Sequence, residues 1–244
     1  MKIIQLTDLH IGAPHEATNG VDVLHNIKTI LSEIFNEQPD YLVLTGDFCF
    51  NRPHPFAYTW LAEQLAEVSI PIRVIGGNHD DIQLLADTFR HSGQLKKDSF
   101  YYSDTFGGIP FLFLDSHTNA IDEQQLDWLQ AQLAVSQEVY LFVHHPIMLA
   151  QHRFMDAKYP LRNHAAVTKI LHEHSHPVYA FCGHYHTDKV IHSRNIHLHI
   201  TPSCILQIAS QPAEFTIDHY RVGYRIIQID ANKTLTTEVR YVDV

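Results

Sequence analysis

Five short apolar runs, each ending on a cluster of carboxylate, amide or imidazole side chains, constrain this chain more than any other feature. Ile3-Ile4-Gln5-Leu6 leads into Thr7-Asp8-Leu9-His10, Tyr41-Leu42-Val43-Leu44 into Thr45-Gly46-Asp47, and Ile72-Arg73-Val74-Ile75 into Gly76-Gly77-Asn78-His79-Asp80. Further on, Val139-Tyr140-Leu141-Phe142-Val143 leads into His144-His145, and Val178-Tyr179-Ala180-Phe181-Cys182 into Gly183-His184-Tyr185-His186. Runs of this length and composition read as buried strands, and the glycine pair after Ile75 lets the backbone turn sharply at the strand exit.

Helical patterns lie between the runs. From Val21 to Phe35 the residues Leu24, Ile27, Leu31, Ile34 and Phe35 recur at helical spacing before Pro39, and Leu61, Leu65 and Val68 mark a second amphipathic helix. Two consecutive strand-helix-strand units imply a parallel sheet. A short helix is expected over Asp81 to Phe89, strands over Phe100 to Ser103 and Pro110 to Asp115 around Gly107-Gly108, and helices over Glu123 to Leu133 and Ala165 to His174. Met148 to Asn163 reads as an irregular loop over the site. Beyond His186 the texture changes to short β runs, the last two alternating around Asn232-Lys233 as a hairpin should. The expected fold is α/β: two packed mixed β-sheets flanked by helices in a four-layer α/β/β/α sandwich. Residues 1–244 form one domain with a β-rich portion from about 188.

Composition narrows the function. A formal net charge of -10, with 17 Lys plus Arg and no basic block, argues against extended nucleic acid as a partner. No stretch approaches the roughly 18 consecutive apolar residues that span a bilayer, and the N-terminus opens on strand-like sequence, so no membrane partner and a cytoplasmic location are expected. Cys49, Cys182 and Cys204 are odd in number and make no Cys-x-x-Cys pair, which suits a reducing compartment and small buried side chains.

Ligands of open α/β sheets bind beyond the carboxyl ends of parallel strands, so the five clusters should meet in space. They bring Asp8, His10, Asp47, Asn78, His79, His144, His145, His184 and His186, a mixture of oxygen and nitrogen donors suited to Mn, Fe, Zn or Co. The donors of Asp8-Leu9-His10 and of His184-Tyr185-His186 stand at i and i+2, on one side of an extended chain. Seven or more donors exceed the needs of one ion and suit two divalent or mixed-valence ions sharing a carboxylate, with Asp47 expected as the bridge. Such a site would draw an anionic phosphate ester, and a water shared by the ions would attack phosphorus in line.

The order Asp-x-His, Gly-Asp, Gly-Asn-His-Asp, His-His and Gly-His-x-His, spread over positions 8 to 186, resembles the calcineurin-like metallophosphoesterases. The resemblance implies one metal held by Asp8, His10 and His186, the other by Asn78, His144 and His184, with Asp47 bridging. It implies that His79 contacts the phosphate or protonates the leaving group. Leu114-Asp115-Ser116 with Gln125-Leu126-Asp127-Trp128-Leu129, Thr201-Pro202-Ser203 with Gln207, and Gly223-Tyr224-Arg225 are similar to the bacterial class III 3',5'-cyclic nucleotide phosphodiesterases. Phe48-Cys49-Phe50 after Asp47, and His117-Thr118-Asn119-Ala120 after Ser116, depart from that pattern where substrate would be recognised.

The expected activity is therefore hydrolysis of a small phosphodiester, 3',5'-cyclic AMP to 5'-AMP. The alternatives are another diester or monoester (a glycerophosphodiester, a nucleotide conjugate, a phosphoprotein), or a scaffold without catalysis. The β-rich C-terminal portion could supply the edge of a homodimer. His145 reads equally as a partner of the metal ligands or as packing. His172, His174 and His176 read as a solvated helix end, His197 and His199 as the outer face of a strand, and Phe48, Phe50 and Tyr185 as core. His54 and Arg153 are loop residues that the sequence leaves open as substrate contacts.

Overall fold

The computed structural model describes residues 1–244. The first half of the chain runs β1 (Lys2–Leu6), α1 (Val23–Asn36), β2 (Tyr41–Thr45), α2 (Pro55–Gln64), β3 (Ile72–Ile75), α3 (Ile82–Thr88), β4 (Tyr102–Phe106), β5 (Ile109–Phe113) and α4 (Glu123–Val135). There follow β6 (Val139–Phe142), α5 (Arg153–Lys158), α6 (His164–Glu173), β7 (Val178–Cys182), β8 (Lys189–Ser193) and β9 (Ile196–Ile200). The chain ends with β10 (Gln207–Ile208), β11 (Ile217–His219), β12 (Val222–Ile229) and β13 (Leu235–Val242). Aspartates start three of the helices: Asp22, Asp81 and Asp122 accept from backbone amides of the first turns of α1, α3 and α4. The stretch expected to be irregular from 148 to 163 contains α5, started by His152 accepting from the Met155 amide.

Two mixed sheets make the sandwich. One has the order β13-β12-β1-β2-β3 and the other β4-β5-β6-β7-β9-β8. β1, β2 and β3 are parallel, as are β5, β6, β7 and β9, so the exits of β1, β2, β3, β6 and β7 collect at one rim. The C-terminal β runs do not form a separate unit. β12 pairs antiparallel with β1 and β9 parallel with β7, each extending one sheet.

The space between the sheets has an aromatic half and a polar half. Across the second sheet Tyr102, Phe113, Phe142, Phe181 and His199 stand on registered positions, with successive ring centroids 4.5, 5.4, 5.4 and 5.1 Å apart. The Tyr102 hydroxyl donates to the carbonyl of Val74 in β3, and Phe106 stacks on Tyr41 of β2 at 4.2 Å, so these rings face the first sheet. His199 thus belongs to the interior and not to an outer face, whereas His197, on the same side of β9, is half-buried with its Nδ1 2.6 Å from that of His192. Leu112, Leu141, Ala180 and Leu198, which alternate with the rings, are buried as well. Alternation gives two faces but does not say which is wet when both are covered.

Toward β12 the filling becomes polar. Gln5 Nε2 donates to Thr45 Oγ1 (2.9 Å) and to the carbonyl of Cys182 (3.2 Å), and its Oε1 accepts from Thr201 Oγ1 (2.6 Å). The buried Arg225 guanidinium donates to Thr201 Oγ1 (3.0 Å), the Ile200 carbonyl (2.9 Å), Asp188 (3.0 Å) and Thr237 Oγ1 (3.1 Å). Six strands, β1, β2, β7, β9, β12 and β13, are joined through these groups. An Arg225→Met variant takes the guanidinium from the buried Ile200 carbonyl and from Thr201, Thr237 and Asp188, of which Thr201 keeps Gln5, and we expect a loss of about 1–3 kcal/mol in unfolding free energy by urea titration. His199 is the reverse case. Its Nδ1 is buried without a partner, and burial together with the Arg225 charge pushes its pKa down to about 3. Below its unfolded value of about 6.5 the unfolded chain takes up a proton that the folded chain refuses, so stability falls as pH drops from there toward 3. His199→Phe should remove that slope. Between pH 6.5 and 5, titrations of metal-free protein should show the variant losing less stability than the native chain, by at most about 1.4 kcal/mol per pH unit.

Candidate metal centre

At the common rim the structure brings the expected donors together. The ligand atoms of Asp8, His10 and His186 lie within 4.8 Å of one another, as do those of Asp47, His144 and His184. The two groups adjoin: His10 Nε2 is 3.7 Å from Asp47 Oδ2, and His144 Nε2 is 4.0 Å from Asp8 Oδ1. Asn78 and His79 occupy the turn after β3, where the His79 amide donates to Asp47 Oδ1 at 3.0 Å.

The backbone that presents these side chains is strained. Asp8, His10, Asp47, His184 and His186 have φ of 52°, 49°, 53°, 65° and 47°, in the left-handed region. Asp, Asn and His enter it more readily than other side chains, yet each such residue costs on the order of 1–2 kcal/mol. The i, i+2 donor pairs therefore point the same way from successive left-handed residues and not from extended strand, which corrects the geometry expected from sequence. Two glycines make the approach of the loops possible. A Cβ on Gly183 would coincide with Thr7 Oγ1 and Asp8 Oδ2, and one on Gly77 with Asp47 Oδ1.

Each carboxylate divides its two oxygens. Asp8 Oδ2 accepts from the His184 amide (2.8 Å) and Thr7 Oγ1 (2.9 Å), while Oδ1 is buried with no partner, 3.3 Å from His186 Nε2. Asp47 Oδ1 takes the His79 amide, leaving Oδ2 at 3.3, 3.7 and 3.9 Å from ring nitrogens of His144, His10 and His79. Asp47 Oδ2 thus lies between the two groups. Three imidazoles are held in the same manner: His144 Nδ1 donates to the Thr45 carbonyl (2.8 Å), His186 Nδ1 to Leu206 (3.1 Å) and His184 Nε2 to Tyr159 (2.9 Å). Because a carbonyl only accepts, the proton of each neutral ring is fixed there and the other nitrogen keeps its lone pair.

Charge follows from this arrangement. Burial raises the Asp8 carboxyl, but the facing His186 and His144 more than offset it and hold it at about 2. Asp47 is likewise brought well below the usual carboxylate range against the effect of burial, chiefly by His144. Burial depresses His10 to about 4 and His184 to about 3, leaving both neutral, whereas Asp47 outweighs burial at His144 and lifts it to about 9. Two anionic carboxylates, the neutral rings of His10 and His184, and a set of buried atoms without partners, Asp8 Oδ1, His10 Nδ1, Asn78 Oδ1 and His144 Nε2, make a donor set that fits cations once His144 gives up its proton.

Other residues fall outside the donor set. His145 is fully engaged, with Nδ1 2.8 Å from Ser116 Oγ and Nε2 3.0 Å from Asn119 Oδ1, and its ring lies 4.1 Å from that of His184. It packs and orients. Phe48 and Tyr185 are core, while the half-buried Phe50 lies 6.2 Å from the His10 ring. His54 caps α2 and its Nε2 contacts the Ile11 carbonyl, and Arg153 reaches the Gln211 carbonyl. His172 and His174 contact the carbonyls of Ser193 and Gln137, and the exposed His176 follows them, away from the rim. Sequence reasoning gave no role to Asp80. Its carboxylate accepts from the amides of Gly77 (2.8 Å), Phe48 (3.0 Å) and Cys49 (3.3 Å) and from the Tyr58 hydroxyl (3.2 Å), tying the loop after β2 to the loop after β3. Burial, then Asp47, push it up to about 7. Its position directly after His79 was the only signal available.

The chain belongs to the calcineurin-like phosphoesterases, whose family model matches residues 1–188. Proteins of this family use a dinuclear metal centre, and the two donor groups at the rim correspond to that in number. Among named relatives, it is 31% identical over 233 residues to a protein of Fibrobacter succinogenes named "probable cyclic nucleotide phosphodiesterase", covering 95% of this chain and 91% of that one. It is 29% identical over 249 residues to the 3',5'-cyclic adenosine monophosphate phosphodiesterase CpdA of Escherichia coli K12, covering 98% and 89%. In fold it is similar to a dimetal phosphatase of Danio rerio, with a TM-score of 0.67 and 16% identity over 93% of this chain and 94% of that one.

Gly183→Ala tests the close packing. Its methyl group must displace Asp8, so Mn2+ binding by calorimetric titration should weaken about tenfold or more while the circular dichroism spectrum is retained.

Proposed function

We propose that the protein hydrolyses 3',5'-cyclic AMP to 5'-AMP with two metal ions, Mn, Fe, Zn or Co. In this reading Asp8, His10 and His186 hold one ion, Asn78, His144 and His184 hold the other, and Asp47 is shared. The observation that carries the reading is the pair of adjoining three-donor groups at one rim, with Asn78 in the turn beside Asp47, in a chain whose named relatives are cyclic nucleotide phosphodiesterases along nearly its whole length. The entire chain from 1 to 244 acts as one catalytic domain, since β12 lies beside β1 and contributes Arg225 to the interior. The same reading puts it in the cytoplasm, supported by three free and buried cysteines. No helix is long and apolar enough to cross a membrane.

When bound, two divalent ions supply positive charge for the phosphate oxygens and lower the pKa of water. The chain's own groups do the rest. Asp8 and Asp47 stay anionic and keep one oxygen each facing the histidine donors, fixed by backbone amides through the other. His79, partly open to solvent and 3.9 Å from Asp47 Oδ2, is placed to touch the phosphate or to deliver a proton to the 3' oxygen as the bond to phosphorus breaks. One water is consumed, and the products are a 5' monoester and a 3' hydroxyl. No serine or cysteine nucleophile is needed, and burial keeps the thiols of Cys182 and Cys204 protonated, well above their ordinary pKa.

Steady-state hydrolysis by Mn-loaded protein tests the substrate. We expect kcat/KM for 3',5'-cyclic AMP to equal or exceed that for bis-p-nitrophenyl phosphate. Turnover of the chromogenic diester alone would redirect the reading to another phosphodiester. For the residues, Asp47→Ala should lower kcat/KM by about 10^3 or more and reduce bound metal, whereas His79→Ala should retain both ions and lose about 10^2 in kcat. Two tightly held ions in the first variant, by metal analysis, would remove Asp47 from its shared position.

A further inference from the structure

We propose that Tyr159 and Phe215, with Phe154 behind them, form a stacking platform for the base of the cyclic nucleotide. This deepens the reading above and rests on it. The platform is built from two segments, each attached to a different donor of the Gly183-His184-Tyr185-His186 block. His184 Nε2 donates to the carbonyl of Tyr159 at 2.9 Å. The amide of Ile208 donates to the carbonyl of His186 at 2.9 Å, and from there residues 209–216 form a loop closed by the Ala209 amide on the Thr216 carbonyl, with Phe215 in it. The two segments then join each other, through the Arg153 amide on the Ser210 carbonyl (2.9 Å) and the Arg153 guanidinium on Gln211 (3.3 Å).

Phe154 is where they meet. Its ring centroid lies 5.6 Å from that of Tyr159 and 5.9 Å from that of Phe215, both at steep interplanar angles of 67° and 64°. Phe154 packs against the core, but Tyr159 is 53% exposed and Phe215 50% exposed. Contact at such angles is edge to face, and about half of the surface of each outer residue stays open to solvent. The segment is not a floppy one. Asp156 accepts from the amides of Ala150 and His152 and from the Tyr185 hydroxyl, each at 2.9 Å.

Position and size select the occupant. One imidazole ring and one hydrogen bond separate the Tyr159 backbone from the donor group of Asp47, His144 and His184, a distance on the scale of the ribose that separates base from phosphate in a nucleotide. Two exposed rings are far too little surface for a protein partner, which needs about 800 Å² on each side. An aromatic face stacks on any base, so the platform explains base binding without hydrogen-bond readout.

The test compares two cyclic esters, 3',5'-cyclic AMP and methyl riboside 3',5'-cyclic phosphate, which has the same ring phosphodiester and no base. In Phe215→Leu, Tyr159→Leu and the double variant, Mn-loaded, the ratio of kcat/KM for the two esters should fall, about tenfold in the double variant and mainly through KM for cyclic AMP. Equilibrium dialysis should give a matching loss in affinity for 5'-AMP, with that for ribose 5-phosphate little changed. An unchanged ratio, or equal losses on both esters, would overturn the platform while leaving the cyclic-nucleotide reading intact. Should the native protein cleave neither ester yet hydrolyse bis-p-nitrophenyl phosphate, the reading itself falls and the platform with it. A change of oligomeric mass in the variants at constant ratio would also overturn it, and would assign the rings to a contact between copies of the chain.

Discussion

The hydrogen bond from the His184 amide to Asp8 Oδ2, 2.8 Å long, is the contact on which the site depends. Asp8 leaves the first sheet and His184 the second, so this bond fastens the two rims where the donors must converge. It forms because Gly183 has no side chain to hold the loops apart and because Asp8 accepts a left-handed backbone. A carboxylate that uses one oxygen to bind the opposite loop cannot swing, so its second oxygen stays aimed at the histidine donors. Asp47 repeats the device with the His79 amide. Five left-handed residues at about 1–2 kcal/mol each amount to roughly 5–10 kcal/mol of local strain, comparable to the whole stability of a typical domain. Only a well-packed interior on both sides could hold such loops in place.

That interior is divided to suit. The aromatic row from Tyr102 to His199, with Phe106 stacked on Tyr41, binds the second sheet to the first by area and shape. The hydrogen-bonded set of Gln5, Thr45, Thr201 and Arg225 fixes register beside the rim. Apolar packing tolerates small shifts, whereas each of these hydrogen bonds has one geometry. The polar set lies next to the Cys182 carbonyl, one residue before Gly183, where a shift would be transmitted directly to the donors.

The electrostatics of the chain alone already lean toward cation binding. Asp47 and His144 share a proton that the rest of the site would release, since His10 and His184 are held neutral by burial. The net charge of -10 keeps the surroundings acidic, so any attraction for an anionic ester must arise at the rim itself and not from a basic surface.

By itself the sequence determined most of the strands and helices, α5 excepted, and singled out the six side chains that the structure groups at the rim. A strand's apolar run, a helix's period and a glycine at a strand exit are local patterns, and the order of Asp8, His10, Asp47, Asn78, His144, His184 and His186 follows the order of strand ends. It determined the last hairpin as well, because Leu235–Val242 alternates cleanly. The tertiary structure decided what depends on neighbours distant in the chain. His199 faced inward because both faces of β9 were covered at that position, Asp80 became a loop tie because three amides from two loops pointed at it, and His145 was occupied by Ser116 and Asn119. The same holds for the left-handed donors and for the meeting of Tyr159 and Phe215 across Phe154, since a residue's own pattern states its preference for a face or a backbone angle, and only packing against the rest of the chain states which preference prevails.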